Sequence, residues 1–281
     1  MRLLLLFLKE PLPGEVKTRL AATVGAEQAA TVYRAMVRLL LMQLSGLEQC
    51  HLRFCYTPDD AHDAIRFWIL PEIMDTPEIK LNLEHIDFRA QGEGDLGARL
   101  TRAARQAFQE GYQKVAFIGS DCIELSSRWI QAAFAQLNDT HDAVIGPTPD
   151  GGYHLLGMQR YLPALFDRIP WSTPVTCQIT TERAAEEGIS LYTLPSLPDI
   201  DTEEDYKSTL VGPLGPRLQK IVESLGKKSW EVAPLGRDNT TGKFPSPSIT
   251  ISPVPPASFH PEPGLKAGFD PADSLRSDRR H

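Results

Sequence analysis

The stretch from Lys114 to Leu125, KVAFIGSDCIEL, constrains the fold more than any other. Val115-Ala116-Phe117-Ile118 is an apolar run with the length and composition of a strand buried on both faces. It breaks at Gly119-Ser120 and presents one carboxylate, Asp121, where the strand would end. In open α/β sheets ligands bind beyond the carboxyl ends of parallel strands, which is where a sheet holds a catalytic or metal-binding acid. Asp121 is placed either for that work or as the cap of a helix beginning near Ser126-Ser127.

The remaining chain has the material for such a sheet. Of its 281 residues 42% are hydrophobic and 23% charged, which suits one large α/β domain or two small ones. A net charge of −7 argues against a nucleic-acid partner, which needs a basic face, and leaves room for a local basic pocket. The four cysteines, Cys50, Cys55, Cys122 and Cys177, form no CxxC pair and no zinc spacing, so reduced thiols in a cytoplasmic protein are expected. Cys122 has no His or Lys beside it to lower its pKa and reads as a buried structural thiol. The apolar start, Leu3 to Leu8, is too short for a membrane span and lacks a small-residue cleavage site; it reads as the first core strand.

After that strand, Lys9 to Leu20 (KEPLPGEVKTRL) carries two prolines, Gly14 and the cations Lys9, Lys17 and Arg19. A Gly-containing loop leading from a strand into a helix is suited to cradle phosphate, with Thr18 and Arg19 as directional donors. It is not a Walker A motif, and the same residues would also serve as a solvated basic loop. Gly25 to Leu44 has helical periodicity, Leu52 to Tyr56 reads as a second strand, and Asp59-Asp60 opens a helix through Trp68. Leu83 to Phe88 is a third strand candidate. In Gln91 to Leu100 (QGEGDLGARL), Gln91 offers both donor and acceptor to a nucleobase edge, and Asp95 is placed to cap the following helix.

A buried strand, Asp142 to Gly146, runs into Asp150-Gly151-Gly152, a strong turn signal, and then a strand from Tyr153 to Met158. Asp150 is thus a second acid on the presumed ligand side, and the two glycines allow close approach of backbone to substrate, as a plain hairpin turn also would. Gly151, Gly152, Tyr153, Trp171 and Ser172 are the substrate-lining candidates, Trp171 standing as either lid or core anchor. His154 alternates with apolar neighbours and reads as a packed histidine. A helix from Thr176 to Glu187 and an edge strand from Ile189 to Leu194 precede PDIDTEEDY. There Asp201-Thr202-x-Glu204 resembles a helix start, and Asp199-x-Asp201 leaves one carboxylate facing the site if the loop passes the strand ends.

Beyond Gly212 the last 70 residues hold 11 of the 23 prolines, a composition that builds no core. Residues 1–211 are therefore expected to be the folded domain, 212–227 a helix or linker, and 228–281 a disordered tail whose Pro253–Pro256 is a weak ligand-like pattern.

Five stretches, KEPLPGEVKTRL, QGEGDLGARL, FIGSDCIEL, GPTPDGGYHLLG with IPWSTP, and PDIDTEEDY, together resemble the bacterial family DUF2064. Members are also described as nucleotide-diphospho-sugar transferases, some as arsenosugar-biosynthesis glycosyltransferases. The resemblance spans residues 1 to about 210 and implies the GT-A fold, a three-layer α/β domain with a mainly parallel sheet that binds a nucleotide and a divalent cation, Mg²⁺ or Mn²⁺. The family is similar in turn to guanylyltransferases of molybdenum-cofactor and coenzyme F420 biosynthesis. The resemblance implies that Gly14, Lys17 and Arg19 hold phosphates and that Gln91 and Asp95 lie near base or ribose. Asp121 would be the metal-binding acid and Asp201 the late acid completing the site, with Asp199 as its alternate. The chain departs from the family in Ile123-Glu124, where Pro-Asp is usual, and in His154, where an aromatic is usual.

A nucleotide diphosphate leaves only when its developing charge is neutralised, which a carboxylate-held cation and the clamps Lys17 and Arg19 would do; Asp150 is the candidate general base. Three functions follow: transfer of a sugar from a nucleotide sugar to a small acceptor, nucleotidyl transfer from an NTP to a phosphorylated small molecule, or non-catalytic nucleotide binding.

Overall fold

The computed structural model describes residues 1–228; the expected disordered tail and its PVPP pattern lie outside the described residues. Seven strands form one sheet: β1 (Arg2–Lys9), β2 (Cys50–Thr57), β3 (Ile86–Ala90), β4 (Lys114–Gly119), β5 (Ala143–Pro147), β6 (Tyr153–Met158) and β7 (Leu191–Thr193). Their order is β3-β2-β1-β4-β6-β5-β7. All neighbours are parallel except β6, which runs antiparallel to both β4 and β5. The hairpin that the Asp150-Gly151-Gly152 turn predicts is this β5–β6 pair.

The helices are α1 (Thr18–Val24), α2 (Ala26–Gln43), α3 (His62–Asp75), α4 (Leu96–Gln109), α5 (Ser127–Gln136), α6 (Thr176–Glu186), α7 (Glu203–Val211) and α8 (Gly215–Lys228). Side chains alternate along a strand, so the unbroken leucines of β1 must be covered from both sides. Leu4, Leu6 and Leu8 pack with Val37, Leu40, Ile65, Ile69 and Phe134 of α2, α3 and α5. Leu3 and Leu5 pack with Leu100, Ala104 and Ala184 of α4 and α6. Each such leucine contributes about 2 kcal/mol by leaving water.

Two sequence expectations are corrected. The third helix does not stop at Trp68 but runs to Asp75 with Pro71 inside it. Ile65, Ile69 and Ile73, spaced by four, bury one face of it on the sheet, and that packing outweighs the proline's lost hydrogen bond. Leu83–His85 is a 3₁₀ turn, opened by the Asn82 side chain accepting from Glu84 N, and the strand proper begins at Ile86.

After residue 211 the chain forms α8, whose Leu218, Ile221 and Val222 pack against Val32, Ala35, Met36 and Leu39 of α2. Leu20, Ile123 and Ile200 belong to the same apolar cluster, which therefore lies directly behind the loops that follow β1 and β4. Among the described residues no helix is long and apolar enough to cross a membrane.

Candidate active site

β4 ends at Gly119 and the chain turns out of the sheet at Ser120 and Asp121. Asp121 does not cap α5; Ser126 does, its Oγ accepting from Trp129 N at 3.3 Å. In that loop Ile123 is buried, 2% exposed, while Glu124 is exposed to solvent. Backbone completes the anchor: Ile200 N donates to Asp121 O at 3.1 Å, which ties the late acidic segment to the end of β4.

Lys17 joins three segments. Its Nζ lies 2.5 Å from Asp121 Oδ1, donates to Ile200 O at 2.5 Å and lies 3.9 Å from Asp201 Oδ1. The lysine side chain is 4% exposed, against 50% for Asp121 and 37% for Asp201, so a buried cation underlies two acids that still face water. Lys17 has a left-handed backbone, φ 48°, which costs a non-glycine residue about 1 kcal/mol. Its ion pair with Asp121 and its hydrogen bond to Ile200 O hold it there. Arg19 Nη1 donates to Asp201 Oδ2 at 2.9 Å. Gly14 (φ 86°), Lys9 and Thr18 lie exposed on the same loop.

Asp201 is held from behind. Asp205 accepts from the backbone N–H of Asp201 and Thr202 and from the Thr202 hydroxyl, and Thr202 accepts from Asp205 N, a capping box opening α7. Burial would raise the Asp205 pKa, and these hydrogen bonds bring it below its ordinary value. Asp199 shows the opposite balance. Burial, and then the nearby charges of Asp150 and Asp121, push its carboxyl up to about 6. Asp121, Asp199 and Asp201 thus carry more negative charge than Lys17 and Arg19 neutralise.

Among the described residues no three His, Cys, Asp or Glu side chains converge as a ready-made metal cage. What the site does offer is the right donor type: Asp121 and Asp201, both near Lys17 Nζ and partly open to solvent, present carboxylate oxygens, the ligands a hard divalent cation takes.

Asp150 sits at the tip of the β5–β6 turn, its Oδ1 accepting from Thr148 Oγ1 at 2.5 Å and Gly152 N at 2.9 Å. Gly151 (φ 87°) has no room for a side chain, since a Cβ there would lie 1.8 Å from Pro174 O. The Trp171–Pro174 loop is thereby docked on the turn, with Cys177 N donating to Gly151 O. Trp171 is half-buried, its indole against Gly97 of α4 and its ring 6.2 Å from that of Tyr153, edge to face. Ser172 beside it is exposed with φ 60°.

Gln91 and Asp95 lie beyond β3, on the α4 side. The buried Gln91 amide donates to Leu8 O and Cys55 O, and its Oε1 accepts from Arg99. Asp95 caps α4 by accepting from Ala98 N at 2.8 Å. His154 is packed, as its alternation suggests, and burial lowers its pKa to about 4. Burial pushes the Cys122 thiol up to about 12, in keeping with a structural role.

Sequence reasoning missed the supporting residues. Tyr33 reads as a helix core position, yet its hydroxyl accepts from Lys9 N at 2.9 Å and lies 3.2 Å from Ser120 Oγ, joining the ends of β1 and β4. A phenol among otherwise apolar helix positions was the available signal.

The comparisons agree with this architecture. The family model described as "Uncharacterized protein conserved in bacteria (DUF2064)" matches residues 40–173. A provisionally named nucleotide-diphospho-sugar transferase from Desulfovibrio desulfuricans G20 is 32% identical with a TM-score of 0.67, over 81% of this chain and 97% of that one. A 4-diphosphocytidyl-2C-methyl-D-erythritol synthase from Anaerococcus prevotii DSM 20548 is 11% identical with a TM-score of 0.50, over 78% of this chain and 96% of that one; this likeness concerns the fold alone. No curated protein matches the chain in sequence.

Proposed function

The chain belongs to the DUF2064 family and has a GT-A-like fold, and on that premise we propose that it is a glycosyltransferase moving a sugar from a nucleotide-diphospho-sugar to a small acceptor. The observation that carries this reading is Lys17, a buried ammonium that draws the loop after β1, Asp121 after β4 and Ile200-Asp201 before α7 to one point. Such a convergence of cations and acids at the carboxyl end of parallel strands suits a phosphate-bearing ligand.

In this reading Gly14, Lys17, Thr18 and Arg19, with Lys9 at the loop's start, hold the diphosphate. Lys17 and Arg19 neutralise charge as the glycosidic carbon–oxygen bond breaks and the nucleoside diphosphate departs with the bonding electron pair. A Mg²⁺ or Mn²⁺ ion held by Asp121, with Asp199 and Asp201, would add Lewis-acid stabilisation of the same phosphate oxygens. Gln91, bonded to Leu8, Cys55 and Arg99, and Asp95, which caps α4, would shape the wall on the base and ribose side without bonding the nucleotide themselves. Asp150, oriented by Thr148 and Gly152 N, takes the acceptor hydroxyl's proton as that oxygen bonds to the sugar carbon.

The test is product identity. Purified protein supplied with a nucleotide sugar, an acceptor panel and Mg²⁺ or Mn²⁺ should release nucleoside diphosphate. Release of pyrophosphate from an NTP instead would replace this reading with nucleotidyl transfer. Asp150→Asn should slow turnover by about 10²-fold; a change under about threefold removes Asp150 as the base.

A further inference from the structure

A second concavity is lined by none of Lys17, Arg19, Asp121, Asp199 and Asp201. It is an open groove of about 420 Å³ running along α4, within the usual size of small-molecule sites. Asp95, Gly97 and Thr101 form its floor, with Arg105 toward one end and Trp171 and Tyr161 as aromatic walls. From Asp95 to Arg105 the helix rises about 15 Å, at 1.5 Å per residue.

Three observations give the groove a chemistry and a direction. First, its charges are unevenly matched. Asp167 is paired with Arg168 at 3.0 Å and Arg183 at 3.7 Å, and Asp95 is committed to the α4 cap. Among the described residues Arg105 has no carboxylate partner; its guanidinium lies over the Tyr161 ring, 5.8 Å from the centroid, and Nη2 reaches Tyr161 Oη at 3.4 Å. A guanidinium stacked on one face keeps in-plane donors available for carboxylate or phosphate.

Second, the indole of Trp171 is seated by design of the backbone. A Cβ on Gly97 would lie 2.2 Å from Trp171 Nε1, so only glycine admits the ring at that depth. Left-handed Arg168 (φ 57°) and Ser172 (φ 60°) bracket the segment that delivers it. Such outliers persist where the surroundings over-determine them.

Third, Trp171 connects the groove to the chemistry. Its ring packs on Tyr153, two residues past Gly151, and its loop is docked on the Asp150 turn through Pro174 and Cys177.

We infer that this groove is the acceptor subsite and that the acceptor is a ring-bearing small molecule with one anionic group. The ring lies between Trp171 and Tyr161, the carboxylate or phosphate sits on Arg105, and the reacting hydroxyl faces the Asp150 turn. The assignment of acceptor rests on the transferase reading above; the anion-binding groove itself does not.

The experiment is calorimetric titration of the full chain with phenyl phosphate, benzoate, benzyl alcohol and inorganic phosphate, on wild type, Arg105→Gln and Arg19→Gln. The two anionic ring probes should bind wild type at least about tenfold more tightly than benzyl alcohol. Arg105→Gln should abolish that preference and leave benzyl alcohol unchanged, and inorganic phosphate should be weaker than phenyl phosphate. Arg105 is exposed, so its replacement tests binding and not folding. No preference for the anionic ring probes over benzyl alcohol, a preference kept in Arg105→Gln, or one lost only in Arg19→Gln would overturn the proposal. Nucleotide binding measured in parallel separates the two readings. Probe binding through Arg105 without nucleotide binding leaves the groove standing and removes the acceptor role; nucleotide binding without probe binding removes the groove alone.

Discussion

The network around Arg53 and the cluster around Lys17 both join cations to carboxylates and differ in balance. Arg53, 4% exposed, bonds Asp87 through two nitrogens at 2.6 and 2.8 Å and Glu110 at 2.8 Å, and Arg89 pairs with Glu110 at 2.9 Å. Two guanidinium groups face two carboxylates there. At the other cluster Lys17 and Arg19 face Asp121 and Asp201, with Asp199 close enough to feel the charges of both Lys17 and Asp121. A closed, balanced network needs nothing further from solution. A cluster with surplus charge and half-exposed acids is poised for a ligand that brings the missing charge, and perturbed carboxylates gather at such places.

Breaking the balanced network should have the largest effect on stability. Arg53→Ala leaves two partly buried carboxylates without their partner and should cost about 3 kcal/mol in urea unfolding, with nucleotide affinity unchanged. A cost under about 1 kcal/mol would mean that water serves those acids as well as the arginine does. Lys17→Met should cost less, about 1–2 kcal/mol, because Asp121 and Asp201 remain hydrated. Mg²⁺ should raise its melting temperature more than that of wild type, by taking the place of the lost ammonium between the acids. Equal responses would contradict the reading of surplus charge.

A pH dependence sharpens the comparison from the balanced side. Burial alone would raise the Asp87 pKa, but His51, its Nε2 3.3 Å from Oδ2, and two hydrogen bonds from Arg53 bring it to about 2, below its ordinary 3.8. A depressed carboxyl stabilises the fold fully above its unfolded pKa. That contribution should be lost as the pH falls from about 4 through 2. The stability gap between wild type and Asp87→Asn should accordingly hold from pH 7 to 5 and close by pH 2; a gap that closes by pH 5 would place the titration elsewhere.

The sheet was legible because local patterns carried it: the leucine run of β1, the apolar run before Gly119, and the Asp-Gly-Gly turn each act over a few residues. The miss at α3 came where tertiary packing of three isoleucines overrode Pro71, and that at β3 where the Asn82 side chain opens a 3₁₀ turn. The candidate site was legible only in parts. Lys17 and Asp121 could each be singled out, but Lys17 and Ile200 stand 183 residues apart, and no spacing announces that the lysine serves the acids directly. The roles of Tyr33 and Asp205 were hidden likewise, since an interior phenol and a first-turn acid have ordinary structural uses. Ile123, which departs from the family's proline, proves to be an apolar anchor for the same loop.

The central claim is that the Lys17–Asp121 cluster is a nucleotide and cation site. Its most direct test is thermal unfolding of wild type and Asp121→Ala against nucleotide sugars and NTPs, with Mg²⁺, with Mn²⁺ and with neither. A ligand at ~100 times its Kd stabilises by about 2.7 kcal/mol, which for a domain of this size is a shift of roughly 5–10 °C. The account predicts that shift for wild type with a nucleotide sugar and a divalent cation, and its loss in Asp121→Ala. No shift with any nucleotide, or an equal shift in the variant, would contradict it.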